Sequence, residues 1–259
     1  MASGWSFKRV IMRDMAKPRV VVFYGGEMAN ADLSMQSGLW VCECIPRSTY
    51  DVTPVEVTAD GKWKVPLGTL PRSGAVSTTL QRLSQATRAL PPAQALERLV
   101  QRPIEALLTL LRGKGGDDGS VHAIASLLGV PVVGSSQRAF QQASDKHLFG
   151  QVVSDVAATP YSRRFTRKIP LDSVVDEIRE DFLPPLFLKP ASAEGSFGTE
   201  YIESLDDLRS SVSKILAFDD LLVQERIAGP ELSVSITQDA RGNVVALPPT
   251  VVKQEKAPF

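Results

Sequence analysis

The segment Arg19–Tyr24, RVVVFY, constrains the fold more than any other stretch of the chain. A continuous run of β-branched and aromatic residues does not alternate between solvent and core. It belongs to a strand covered on both faces, as the inner strands of parallel sheets are. Pro18 precedes the run and Gly25-Gly26 ends it. Helical character follows from Ala31 to Cys44, and strand, glycine turn and helix together open an α/β ligand- or nucleotide-binding unit. Tyr50–Thr58 alternates as a strand, and the Asp60-Gly61 turn predicts a hairpin with Lys62–Val65. The pattern then predicts one arginine-bearing helix over Thr78–Val100, a strand at Ile104–Leu111, a polar loop, a helix at Val121–Leu128 and a short strand at Val130–Gly134. Strands alternating with helices argue for a parallel sheet.

Beyond Gly134 the pattern changes. Ser136–Ala157 reads as helix and contains Asp145-Lys146-His147. Strands are expected at Tyr161–Phe165, Leu186–Leu188, Thr199–Ile202, Leu221–Glu225, Glu231–Thr237 and Val244–Leu247, with helices at Leu171–Phe182 and Leu205–Phe218. Two small α+β units after an α/β unit is the architecture these elements predict. Within it, Leu186–Gly198 stands out: an apolar strand, Lys189 at its end, Pro190, and a small polar loop with Gly195 and Gly198. Glycines let backbone N–H groups approach a polyphosphate, and a fixed lysine supplies countercharge. Taken alone, the same segment also reads as a surface turn after a core strand.

Composition excludes several classes. With 29 basic and 29 acidic residues the formal net charge is zero, so no overall electrostatic case exists for nucleic acid or an anionic membrane. No apolar run approaches the roughly 18 residues of a membrane-spanning helix, and Met1–Pro18 lacks the apolar core of a secretory leader. The two cysteines, Cys42 and Cys44, have no histidine or further cysteine nearby to complete a metal set. A cytoplasmic protein with reduced thiols is the expectation, and residues 1–18 are expected to be an extension.

The motifs, taken in order, resemble the D-alanine–D-alanine ligases of the ATP-grasp superfamily from about Arg19 to Leu247. Gly25-Gly26 with Ser34 and Ser37-Gly38 resembles that family's opening turn and helix. Leu111-Arg112-Gly113, Gly116-Asp117-Asp118-Gly119, Gly129-Val130-Pro131 and Gly134-Ser135 are similar to its leucine–histidine–glycine loop region. Asp145-Lys146 resembles the pair opening its central domain, Lys189-Pro190 with Gly195–Gly198 its glycine–serine loop, and Gln224-Glu225 with Gly229-Pro230-Glu231 its hinge strand. The resemblance implies a fold of class α/β: an N-terminal parallel-sheet (pre-ATP-grasp) domain at 19–135, then an incomplete ATP-grasp fold of α+β subdomains at 136–223 and 224–259.

It also implies an ATP-dependent ligation of two D-alanines through an acyl phosphate, for peptidoglycan precursors. Lys146 and Lys189 are then expected to neutralise the α- and β-phosphates, with Gly195, Ser196 and Gly198 covering the outer ones. Gln224 and the backbone near Glu225 and Ile227 are expected to read adenine, and Glu231 to accept the ribose hydroxyls. Ser196 and Arg112 are the catalytic candidates, and Asn30, Ser34 and Arg112 the substrate-binding ones. The implied partners are ATP, D-alanine and magnesium, and a homodimer is implied as well.

Three departures from the family pattern bear on activity. Asn30 stands where the family has a glutamate that orients an ammonium, which weakens the grip on a cationic amine. Arg112 replaces the histidine of the leucine–histidine–glycine loop, and arginine keeps its charge throughout. Downstream of Glu231 the only acidic residues are Asp239 and Glu255, whereas hard divalent cations need several oxygen ligands together. The magnesium ligands are therefore expected in a segment beyond Phe259, with none in this chain. Two other readings remain open at this point: a non-catalytic ATP-binding relative, and a carboxylate–amine ligase with a different acceptor.

Overall fold

The computed structural model describes residues 17–27, 31–113, 115–116, 118–193, 196–239 and 241–253. Asn30 and Gly195, both expected at a site, lie outside the described residues. The chain divides into two compact units, Met1–Ser144 and Asp145–Phe259.

The first unit is built on a four-stranded sheet of order β3-β2-β1-β4, with β1 at Arg19–Gly25, β2 at Asp51–Val57, β3 at Trp63–Lys64 and β4 at Ala106–Thr109. β1 runs parallel to both β2 and β4, while β3 folds back antiparallel on β2 as the hairpin signal predicts. Its odd-numbered side chains, Val21 and Phe23, enter a core with Leu107, Leu99 and Val121. Val22 and Tyr24 enter a second core with Cys42, Val76 and Leu80 on the other face. That double burial is why the RVVVFY run carries no polar alternation. Helices α1 (Ala31–Cys44) and α2 (Val76–Ala86) serve the second core, whereas α3 (Pro92–Leu99) and α4 (Ser120–Leu128) serve the first. Helix α5 (Gln137–Ser144) completes this unit.

Two expectations here are corrected. The predicted helix over Thr78–Val100 is two helices, because Leu90 leaves helical geometry to bridge Trp63 and Pro91-Pro92 then opens α3. Val130–Gly134 forms only a single parallel bridge, Val132 to Leu107, in place of a strand.

The second unit carries a wholly antiparallel sheet of order β5-β8-β6-β7: β5 at Ser162–Phe165, β6 at Leu186–Pro190, β7 at Glu200–Ile202 and β8 at Leu221–Glu225. Helix α6 (Lys146–Val153) precedes it. Helices α7 (Leu171–Asp181) and α8 (Leu208–Leu216) cover one face, where Leu186, Leu188 and Val223 pack against Val174, Ile178 and Val212. The long helix expected over Ser136–Ala157 is broken at Asp145, which adopts extended geometry and caps α6. β6 runs one residue past Lys189, the expected strand end, so that Pro190 lies within it opposite Leu221. The single strand expected at Glu231–Thr237 is two short ones, β9 (Glu231–Ser233) and β10 (Ile236–Gln238), paired with β12 (Thr250–Val252) and β11 (Val244–Ala246) respectively. β8 passes unbroken through positions 223–224 as an inner strand. Among the described residues no helix is long and apolar enough to cross a membrane, and Cys42 and Cys44 are free thiols, the first buried and the second exposed.

Candidate functional site

In the second unit the sheet has two unlike faces. Leu186, Leu188 and Val223 face α7 and α8, so Phe187 and Lys189, one residue out of phase, face the other way. Cross-strand partners share a face, and the register sets Phe187 against Gln224 and Lys189 against Leu222. Arg164 of β5 also pairs with Leu222, which puts it on this second face too. Lys189 Nζ donates to Gln224 Oε1 at 2.7 Å and lies 5.0 Å from the centre of the Phe187 ring.

Lys146 reaches the same place from the first turn of α6. Its Nζ donates to the carbonyl of Pro190 at 3.1 Å and to that of Ala193, and its backbone N–H donates to Ala191 O at 3.1 Å. The structure thus brings the two lysines together beside the start of the Pro190–Gly198 loop. Burial, with Lys146 close by, lowers the pKa of the Lys189 ammonium below the ordinary lysine value, and Glu231 opposes that shift. Two cations beside a loop of small residues make a receptor for a polyanion.

The loop itself is pinned at both ends to the turn between α8 and β8. Ala191 N donates to Asp220 O at 2.9 Å, and Ser192 N to Asp219 Oδ2 at 2.9 Å. At the far end Gly198 has φ +69°, and a Cβ there would lie 2.9 Å from Phe218 Cζ and 3.0 Å from Pro190 Cγ. Phe197 and Phe218 pack edge to face. Between the anchors Ser196 is exposed with a left-handed φ of 59°, rare for a residue other than glycine. Its carbonyl accepts from Thr199 N at 3.0 Å.

The remaining expected residues are distributed as follows. Glu225 binds the Tyr161 N–H through Oε1 at 2.7 Å, so its carboxylate holds the entry of β5. Ile227 is exposed, and Glu231 lies exposed in β9, near enough to Lys189 to act on its charge. In the first unit Ser34 is fully buried. Its Oγ accepts from Gly25 N at 3.0 Å and donates to Leu110 O at 2.6 Å. It ties the exits of β1 and β4, where the chain leaves the parallel sheet in opposite directions, the place where open α/β sheets hold ligands. Its hydroxyl is committed to the backbone and turned away from solvent. Arg112, by contrast, stands exposed in the loop after β4.

Sequence reasoning missed Arg164, Asp219 and Asp220. The Arg163-Arg164 pair beside a later Asp219-Asp220 pair was a signal, but only the β5–β8 register turns it into a contact. Among the described residues no three histidine, cysteine, aspartate or glutamate side chains converge to hold a metal ion.

A family model described as the D-ala D-ala ligase N-terminus matches residues 19–135, and one described as the D-ala D-ala ligase C-terminus matches residues 154–257. A D-alanine–D-alanine ligase of Bacillus velezensis is 27% identical over 226 residues, covering 82% of this chain and 63% of its own length. D-alanine–D-alanine ligase A of Mesorhizobium japonicum is 27% identical over 240 residues, with 90% and 67% covered. The chain therefore spans less than two thirds of the Bacillus relative. Among solved structures, the VanG D-Ala:D-Ser ligase of Enterococcus faecalis matches with a TM-score of 0.77 at 23% identity, covering 94% of this chain and 74% of that one. The D-alanine–D-alanine ligase of Coxiella burnetii matches at 0.76 and 18%, with 91% and 71% covered. These last two likenesses speak to the fold.

Proposed function

The chain belongs to the D-alanine–D-alanine ligase family, and from that premise we propose that it binds ATP on the open face of its antiparallel sheet and serves the ligation of two D-alanines. The observation that carries this reading is the convergence of Lys146 and Lys189 on one face, beside a loop pinned at Ala191–Ser192 and Gly198.

In the proposed reaction a carboxylate oxygen of one D-alanine attacks the γ-phosphorus of ATP, and ADP leaves. The amine of the second D-alanine attacks the resulting acyl phosphate. A peptide bond forms, inorganic phosphate departs and the amine gives up its proton. Lys146 and Lys189 balance the α- and β-phosphate charge, and the N–H groups of Ser196 and Gly198 close over the outer phosphates. Gln224, with the backbone at Glu225 and Ile227, reads adenine, and Glu231 takes the ribose hydroxyls. Exposed Arg112 is free of the constraint that holds Ser34 and supplies a charge for a carboxylate or phosphate. Magnesium is the metal the family implies. The described residues offer no ligand set for it, so no step is assigned to it. A cytoplasmic setting suits peptidoglycan precursor synthesis from ATP and D-alanine.

Two measurements test the reading. Calorimetric titration with ATP should show saturable binding that Lys146→Ala and Lys189→Ala each abolish. Phosphate release should depend on both ATP and D-alanine. A chain that leaves ATP unbound, or releases no phosphate when carried at the full length of its relatives, would sink the proposal.

A further inference from the structure

Asp145 and Lys146 are neighbours in the chain, yet structure also joins them by a longer route. Lys146 N donates to Ala191 O at 3.1 Å, and Ala191 N donates to Asp220 O at 2.9 Å. The Asp220 carboxylate accepts at Oδ2 from Arg164 Nη2 at 2.7 Å and from Arg164 Nε at 3.1 Å. Arg164 Nη1 then donates to Asp145 Oδ2 at 2.8 Å. The circuit closes on Asp145, whose other oxygen caps α6 by accepting from His147 N at 2.9 Å and Leu148 N at 3.0 Å. One guanidinium therefore fastens the start of α6 to the turn before β8, to which the loop is itself pinned.

We propose that Arg164 is a positioning residue for the nucleotide site: by bridging Asp145 and Asp220 it holds the Lys146 ammonium in register with the Pro190–Gly198 loop. The inference rests on the reading of Lys146 as a phosphate ligand. Several features favour a positioning role over a surface ion pair. Asp145 and Asp220 each keep only 18% of their side-chain surface, so solvent screens the bridge less than it would an exposed pair. Arg164 makes a forked contact that a point charge cannot copy. Asp220 is held from its other oxygen by the Arg167 N–H at 3.1 Å, which leaves Oδ2 aimed at Arg164. Arg164 also shares the face of Lys189 and Gln224, so its bridge lies on the side of the sheet where the nucleotide would rest.

A positioning role makes a specific split. With the bridge cut, Lys146 loses its fixed place while the adenine and ribose contacts near Gln224 and Glu231 are untouched. ATP and adenosine are titrated separately into the wild-type chain, Arg164→Gln and Arg164→Lys. The expected result is ATP binding weakened about tenfold in Arg164→Gln, the order of one charge-assisted hydrogen bond, with adenosine affinity unchanged. Arg164→Lys reaches one carboxylate only and should not restore ATP binding. Should Arg164→Gln fail to fold, Asp220→Asn cuts the same circuit at the next joint and is read by the same ratio. An ATP-to-adenosine ratio equal to wild type in the folded variants, whatever their melting temperatures, overturns the positioning role alone. A wild-type chain that binds ATP no better than adenosine overturns the phosphate reading of Lys146, and this inference with it.

Discussion

Lys189 shows how a single residue links structure to binding. Its partner Gln224 is a neutral acceptor, so the ammonium keeps its full charge on a partly buried surface. Burial and then Lys146 lower its pKa, against the pull of Glu231. A polyphosphate favours the charged form, so the bound pKa exceeds the free one. ATP binding should then take up a proton in the alkaline window that opens at the lowered free pKa. ATP affinity falls as pH rises through that window, adenosine affinity does not, and Lys189→Gln should flatten the profile. For folding the sign is the opposite, because folding lowers the pKa of this base where ATP raises it. In the folded chain Lys189 releases its proton at a lower pH than when unfolded, so its charged form costs stability at neutral pH and that cost lifts as pH rises through the folded pKa. Lys189 could be named a candidate from sequence because it closes an apolar strand beside a glycine-containing loop. Arg164 was not, because its meaning depends on residues 145, 191 and 220 meeting in space. Arg19 is a second case. It opens an apolar strand yet is buried, its guanidinium donating to Thr53 Oγ1 and to the carbonyls of Leu99 and Arg102.

At the level of elements, the contact between α1 and β1 decides how closely the first helix approaches the sheet. Gly38 lies against Tyr24, and a Cβ at that position would come 2.6 Å from both Cβ and Cγ of Tyr24. Gly38→Ala must push α1 outward or turn the Tyr24 side chain. It should cost about 1–3 kcal/mol in urea denaturation of the chain, and a variant as stable as wild type would refute that close approach. Helical propensity alone points the other way, since alanine is the better helix former. The errors in reading elements share a cause. Thr78–Val100, Ser136–Ala157 and Glu231–Thr237 each keep one periodicity across a break. The breaks are set by partners elsewhere: Trp63 for Leu90, Arg164 for Asp145, and separate strand partners for β9 and β10.

Over the whole molecule, the parallel sheet with its two cores and the antiparallel sheet with its single helix-covered core fall in separate units. A fragment ending at Ser144 should therefore fold alone, with one cooperative urea transition followed by circular dichroism. A fragment without such a transition would show that its cores need the rest of the chain. Sequence by itself determined the alternation of strands and helices in the first unit, the parallel sheet around Val20–Tyr24, and the candidate status of Lys146 and Lys189. These follow from local causes: β-branched runs, turn glycines, and charge placed at the ends of apolar segments. Tertiary structure alone decided which face of β6 carries Lys189, that Ser34 turns inward to bind Gly25 and Leu110, and that Arg164 closes a circuit through Asp220. Each of those depends on strand register. Register is set by which long-range pairing buries the most apolar surface, and no local pattern records it.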